Sequence, residues 1–424
     1  MAVVRIPYGG GNLQAEMPDV NLLGIILPDT DRNRTDEVAL LNNALACPIG
    51  TRPLAELARG RGNAVIIISD GTRMAPSSRF LPYIVAELDR GGISADRVTI
   101  VIGLGNHRPV TEEEKKNLIG PALYGRVKCI HSREAGFRRI GRTARGTPVD
   151  VCLPVLEADI VICTGSIEFH RLSGFSGGAK GVMPGVAGSE AITANHAMSD
   201  RAGVGPGQLN GNPVREDMEE FARIVGVDFL FNVVTDELGK IVGAYAGDLE
   251  QAHRAGCTRA EAMYRVIVDR PGDIVIVSPG GYPKDASVYQ AQKAVLNALD
   301  ICKTGGTVIV AARCQEGHGD EVFACWMEGA AGPAEVRERL EQGFVLGGHK
   351  AKTVLQAIQR TEVYWISDMP EQAVRKLFYH PAATLQDAVN MALARHGTGA
   401  RIWALPYGGL CLPVLKVRDG NHYG

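Results

Sequence analysis

Five short apolar runs, each leading into a loop of polar residues and glycine, constrain the fold of this chain more than any other feature. They are NAVIIISDGTR (63–73), RVTIVIGLGNH (97–107), ADIVICTGSIE (158–168), GDIVIVSPGGYP (272–283) and GTVIVAAR (306–313). A strand with one wet face alternates apolar and polar residues. These runs are almost continuously β-branched or apolar, which predicts strands covered on both faces, as in parallel sheets. Parallel strands need long crossovers, and the segments between the runs read as helices. SRFLPYIVAELDRGG (78–92) has apolar residues at helical spacing and a glycine stop. NPVREDMEEFARIVG (212–226) opens on Asn-Pro and ends on glycine, and YQAQKAVLNALDICKTGG (289–306) behaves alike. The expected fold class is α/β, with two α/β domains whose largely parallel sheets are flanked by helices.

A Pro-Gly turn signal in VIVDRPGD places the expected boundary between residues 1–268 and 269–424. The opening VVRIPYGGGNLQAEMP alternates and then turns at a glycine run, which predicts a β-hairpin within the first domain. A length of 424 residues suits two domains and a core that needs no disulfide staples. Formal net charge is −2, so neither nucleic acid nor an anionic membrane surface is an expected partner. Nine cysteines are scattered without a CxxC pair, a pattern of reduced thiols. The opening residues lack a basic stretch followed by an apolar one, so the expected location is the cytoplasm. The longest apolar runs are far too short to cross a bilayer.

In open α/β sheets, ligands sit beyond the carboxyl ends of the strands. The informative residues are therefore Asp70, Thr72 and Arg73 after the first run, His107 and Arg108 after the second, and Ser166, Glu168 and His170 after the third. Tyr282, Lys284 and Asp285 follow the fourth. Each has a plain structural alternative: a loop arginine held by Asp70, or a capping or packing histidine. Histidines 131, 253, 349, 380, 396 and 422 show no comparable setting, and His318, in CQEGHGDE after a strand, is a partial exception.

The segment EFHRLSGFSGGAKGVMPGVAGSEAITANH (168–196) is the most unusual of the chain. It carries His170, Lys180 and His196 among closely spaced glycines. A glycine-rich loop can cradle an anion with backbone N–H groups. The phosphate-loop pattern GxxxxGK[ST] is not met, because Ala179 precedes the lysine and Gly181 follows it. Lys180 could also act covalently, as in Schiff-base enzymes, or be a solvated loop lysine. His170 and His196 do not have the HExxH spacing of a zinc helix.

Taken together, SDGTR (69–73), GNHRP (105–109), FHRLSGFSGGAKGVMPG (169–185), the Asn195-His196 pair and GGYPKDASVYQAQK (280–293) resemble the nickel-dependent lactate racemase family, racemases and epimerases of 2-hydroxy acids. The blocks keep their order, and with the IPYG opening the resemblance covers essentially the whole chain. Met74 stands where proline is usual, and Asn106 where threonine or an apolar residue is common.

The resemblance implies an active site in the crevice between the two domains. It also implies a nickel-pincer nucleotide, a pyridinium-3-thioamide-5-thiocarboxylate mononucleotide that binds nickel through sulfur and carbon. Lys180 would tether it as a thioamide, His196 would complete the nickel coordination, and Asp70, Gly71, Thr72 and Arg73 would contact the cofactor. His107 and His170 would be opposed proton donors and acceptors. Arg73, Gln290 and Lys293 would bind the substrate. Enzymes that mature the cofactor are implied partners beside the small-molecule 2-hydroxy acid, and a homo-oligomer is compatible with the sequence.

That chemistry is coherent. The C2–H of a 2-hydroxy acid is weakly acidic, so oxidation to the flat 2-keto acid is the easier route to inversion. Imidazole, with a reference pKa near ~6.5, exchanges protons near neutral pH. Two alternatives stay open at this point: a non-catalytic carrier of cofactor or hydroxy acid on the same fold, and a phosphate-transferring enzyme using the Lys180 loop.

Overall fold

The computed structural model describes residues 1–29, 36–71 and 75–416. It divides into two compact units. One is a continuous insert, Thr30–Met263, and the other is a composite of Met1–Asp29 with Tyr264–Gly424. The break at Met263/Tyr264 falls five residues before the 268/269 boundary expected from the Pro-Gly signal. The reason is that Arg265–Val268 is itself a strand, paired in parallel with Leu412–Leu415 of the composite unit. A larger difference lies at the other end. The opening hairpin forms as expected, Ala2–Tyr8 against Gly11–Met17, but it belongs to the composite unit. Its inward residues Val4, Ile6, Ala15 and Met17 share a core with Ile274, Ile276, Ile309, Ile402 and Ala404.

The insert is built on a six-stranded sheet. Its order is Ile241–Gly247, Phe229–Thr235, Ile160–Ser166, Ala64–Ser69, Val98–Gly103, Lys128–His131. Only the edge pair Phe229–Thr235 with Ile241–Gly247 is antiparallel. Continuous apolar strands have the predicted consequence of two covered faces. Ile66 and Ile68 point into one core with Phe80, Leu81 and Ile84 of the helix Ser77–Arg90. Val65 and Ile67 point into the other, with Val182, Met183, Ile192 and Phe221. The segment 179–198 thus lies on one sheet face, beside the helix Pro213–Val225. Asn212 caps that helix, accepting from Val214 N at 3.1 Å and Arg215 N at 3.2 Å, and Gly226 ends it in the left-handed region at φ 85°.

The composite unit has a second six-stranded sheet, all parallel: His380–Pro381, Thr361–Ile366, Cys302–Ala311, Gly272–Val277, Ile402–Leu405, Leu22–Ile25. The helix expected over 289–306 runs over Val288–Leu299. It stops early because Lys303, Thr304, Gly305 and Gly306 belong to the strand that starts at Cys302. None of the nine cysteines forms a disulfide. Among the described residues no helix is long and apolar enough to cross a membrane.

Candidate active site

Ala64–Ser69 pairs with Val98–Gly103 on one side and with Ile160–Ser166 on the other. The chain first progresses in one direction from the central strand and later returns to its opposite side. A crevice opens beyond the carboxyl ends at such a switch point. The loops that follow these three strands are those carrying Asp70, His107 and the glycine-rich segment. Asp70 is buried, and its Oδ2 lies 2.5 Å from Nδ1 of the part-exposed His107. Gly71 is exposed, and among the described residues nothing lies within 4 Å of a Cβ built on it. Thr72 and Arg73 lie outside the described residues.

The turn bearing His107 is fixed by its neighbours. His107 N donates to Leu104 O at 2.9 Å, Gly105 N to Gly185 O at 3.1 Å, and Arg133 Nη2 to Gly105 O at 2.9 Å. Arg108, a candidate beside it, instead forms a two-point pair with Glu114, Nη1–Oε2 2.9 Å and Nη2–Oε1 2.6 Å. Glu114 also closes a capping box with Thr111, and the guanidinium holds its carboxyl down at about 2. Arg108 is therefore part of a helix cap.

His170 sits on a two-residue hairpin, Phe169–His170 against Gly174–Phe175, closed by stacked rings of Phe169 and Phe175 at 4.9 Å. Its Nδ1 meets Leu172 N at 3.3 Å, Ser173 N at 3.2 Å and Ser173 Oγ at 3.0 Å. Backbone N–H groups can only donate, so Nδ1 is an acceptor and the neutral ring carries its proton on Nε2. His107 is held in the opposite sense. Its Nδ1 faces a carboxylate, which accepts, so that nitrogen carries the proton and Nε2 is the basic one.

Lys180 is part-buried in the single turn Gly178–Gly181. His196 is the last residue of the helix Ser189–His196 and is also part-buried. The glycines around them have a packing reason. A Cβ on Gly177 would stand 2.5 Å from Asn232 Oδ1, one on Gly178 2.5 Å from Arg215 Nη2, and one on Gly181 2.5 Å from Cys163 Sγ. The backbone of the loop is pressed onto side chains of the sheet and the flanking helix. Among the described residues no cluster of three or more His, Cys, Asp or Glu is arranged to hold a metal ion. A metal that brings most of its own ligands needs only one, and His196 can be that one.

Two buried networks that the sequence reading passed over lie behind these residues. Arg215, fully buried, donates from Nε to Glu219 Oε1 at 2.7 Å, from Nη1 to Gly177 O at 3.2 Å and from Nη2 to His253 Nδ1 at 2.9 Å. His253, with no apparent setting in the sequence, is fully buried and donates from Nε2 to Ser176 O at 2.8 Å. Burial, then the adjacent Arg215 charge, push its pKa well down, so it is neutral. In the second network the fully buried Asp217 accepts from Thr143 Oγ1 at 2.6 Å, Thr147 Oγ1 at 2.8 Å and Asn195 Nδ2 at 2.8 Å. The available signal was on one helix: in PVREDMEEFARIV, Arg215, Asp217 and Glu219 are buried together with Val214, Met218, Phe221 and Ala222.

In the composite unit, Gln290 and Lys293 stand in the first two turns of Val288–Leu299 and share its half-buried face. Asp285 is buried, and its Oδ2 accepts from Gly9 N at 2.6 Å and Arg313 N at 3.3 Å, so it pins the hairpin turn. Tyr282 is exposed, and Lys284 lies along Gly280 and Gly409. His318 is buried, edge-on to Phe323 at 5.9 Å and 3.0 Å from Glu328 Oε1.

Comparison with known proteins accounts for nearly the whole length. Residues 8–205 match the lactate racemase N-terminal domain and residues 267–412 the lactate racemase C-terminal domain. The chain is 34% identical to a lactate racemase of Thermoanaerobacterium thermosaccharolyticum, over 96% of this chain and 98% of that protein. It is 33% identical to one of Lactiplantibacillus plantarum, over 96% and 99%. The structure of the T. thermosaccharolyticum lactate racemase apoprotein superposes with a TM-score of 0.89 at 33% identity, covering 97% of this chain and 100% of that one. A Thermotoga maritima protein of 19% identity shares the fold at a TM-score of 0.64, over 86% and 96%. With both family domains matched and the fold shared over 97% of its length, the chain belongs to the lactate racemase family.

Proposed function

We propose that this protein is a racemase or epimerase of a 2-hydroxy acid, lactate or a larger relative, working with a lysine-tethered nickel-pincer nucleotide. Family membership supports racemase activity. The observation that carries the reading of the site is the opposite hydrogen bonding of the two histidines, His107 on a carboxylate and His170 on N–H donors. Held in that way, a neutral His107 offers a basic Nε2 and a neutral His170 offers an Nε2–H. Nε2 of His107 can take the proton of a substrate hydroxyl and return it when the hydroxyl re-forms, while the Nε2–H of His170 can hydrogen-bond the oxygen of the flat keto acid. Asp70 holds the proton on Nδ1 of His107 and so keeps Nε2 as the accepting nitrogen. A symmetric pair of bases would have no such division of labour.

Lys180 is the proposed tether and His196 the proposed nickel ligand, an imidazole being compatible with a nickel that also takes sulfur ligands. When bound, the cofactor supplies the hydride acceptor that the protein lacks. The protein's own contribution is to hold the nucleotide, orient the substrate carboxylate and manage protons. Asp70, Gly71, Thr72 and Arg73 are proposed to contact the cofactor, and Arg73, Gln290 and Lys293 to bind the substrate. Arginine and lysine suit a carboxylate.

The test is a panel of single-enantiomer 2-hydroxy acids incubated with cofactor-loaded protein in deuterated solvent. At least one should lose optical purity with little deuterium at C2, because hydride rather than a solvent proton returns to carbon. Retained optical purity across the panel would leave a carrier. Full deuteration at C2 would replace hydride return with proton exchange.

A further inference from the structure

The helix Pro213–Val225 carries two fully buried charged residues two positions apart, Arg215 and Asp217. They serve two different places in the site. Arg215 binds Gly177 O directly and orients His253, which binds Ser176 O. Asn232 Oδ1 accepts from Gly178 N at 2.7 Å, and Cys163 Sγ contacts Gly178 O at 3.4 Å. Successive backbone groups from Ser176 to Gly178 are therefore held by buried side chains just before Lys180. Gly177 and Gly178, at φ 70° and 57°, allow the backbone to turn against that cluster. Asp217 holds the other place. It binds the side chain of Asn195, whose Nδ2 also donates to Val214 O at 3.0 Å. Asn195 is buried and directly precedes His196.

We infer that Arg215 and Asp217 are positioning residues, which use one helix to fix the Lys180 turn and the His196 helix end relative to each other. The inference rests on the proposed roles of Lys180 and His196. The buried charges are costly, and their satisfied partners suggest what the cost secures. Arg215 is neutralised by Glu219, whose other oxygen takes Arg254 Nη2 at 3.0 Å. Replacing a buried ion pair by apolar residues is often neutral for stability, but it would not hold the carbonyls of Gly177 and, through His253, of Ser176 in one geometry. Groups behind metal ligands and reacting side chains set their orientation in this way.

The two residues should fail differently, which a general loss of stability would not do. Apo protein is incubated with the nickel-pincer nucleotide. The mass increment at Lys180 is then measured by peptide mass spectrometry, nickel by elemental analysis, and stability by thermal melting. Arg215→Lys, which keeps the charge but not the fork, should lower the Lys180 increment about tenfold. Nickel per tethered chain should stay near the wild-type value. Asp217→Asn should leave the increment within about twofold and lower nickel per tethered chain about tenfold. Should either variant not fold, His253→Gln replaces the first and Asn195→Ala the second, with the same expectations. Variants that melt normally and change neither quantity, or change both in proportion, overturn the inference. Wild-type protein that acquires no increment at Lys180 overturns the tether reading itself, before any variant is compared.

Discussion

Asp70 is a small residue with a large lever, because its carboxylate decides which nitrogen of His107 can exchange a proton. At 2.5 Å from Nδ1 and buried from water, it selects one tautomer of the ring. Asp70→Asn keeps the size but offers both a donor and an acceptor, so Nδ1 can lose its proton and Nε2 its basicity. The substitution should reduce kcat by about 10²–10⁴ with a much smaller change in KM. Steady-state kinetics of the loaded variant checks this, and a kcat within about threefold of wild type would remove Asp70 from proton management. Both residues were legible in the sequence as strand-end residues. Their contact was not, because it joins loops 37 residues apart that only the strand order brings together. His253 was invisible for a stronger version of the same reason. Its partner, the carbonyl of Ser176, lies 77 residues earlier, and nothing local to HRAGCTRAEA marks the difference from an ordinary helix residue.

At the scale of elements, the glycine-rich turn around Lys180 shows how far composition can mislead about purpose. The glycines suggested space for a ligand, whereas at Gly177, Gly178 and Gly181 the space is already filled by Asn232, Arg215 and Cys163. Gly181 gives the sharpest test. A Cβ there would lie 2.5 Å from Cys163 Sγ and 3.3 Å from Thr164 O, so the turn or the strand Ile160–Ser166 must move. Gly181→Ala should cost about 1–3 kcal/mol of stability through overpacking. Cys163→Ala removes the obstructing sulfur, so the double variant should recover about 1 kcal/mol or more of the summed losses. Denaturant unfolding of the two single variants and the double variant measures that coupling, and strict additivity would show that the clash is relieved elsewhere. Strands and helices themselves were legible because each carries its own pattern: Asn212 and Gly226 bracket a helix in sequence and in space. The end of Val288–Leu299 was not, because Lys303 to Gly306 have little strand character and are drawn into the sheet by Cys302 pairing with Gly272.

For the molecule as a whole, the order of the chain and the order of folding need not agree. The insert is continuous, and both its cores draw only on residues between Leu41 and Ala252. The composite unit must join residues 1–29 to a chain that resumes at Tyr264. A turn signal at Pro271-Gly272 could suggest the boundary, but no local pattern says that a hairpin at the start serves a sheet built from the end. What binds it is apolar surface and a few exact hydrogen bonds. Val4, Ile6 and Met17 are fully buried, Glu16 and Gln386 exchange two bonds at 2.8 and 3.0 Å, and Leu22–Ile25 adds the sixth strand beside Ile402–Leu405. Three large side chains buried at about 1.5–3 kcal/mol each amount to on the order of 5 kcal/mol. That is comparable to the whole stability of a domain, about 5–15 kcal/mol. Residues 30–263 expressed alone should therefore melt cooperatively. Residues 264–424 alone should not, because Ile274, Ile276 and Ile309 lose their cover. Supplying residues 1–29 as a separate peptide should restore a cooperative transition whose midpoint rises with peptide concentration. A cooperative, peptide-independent melt of 264–424 would show that its sheet is stable without the hairpin, and that the opening residues are an accessory of the fold and not a part of its core.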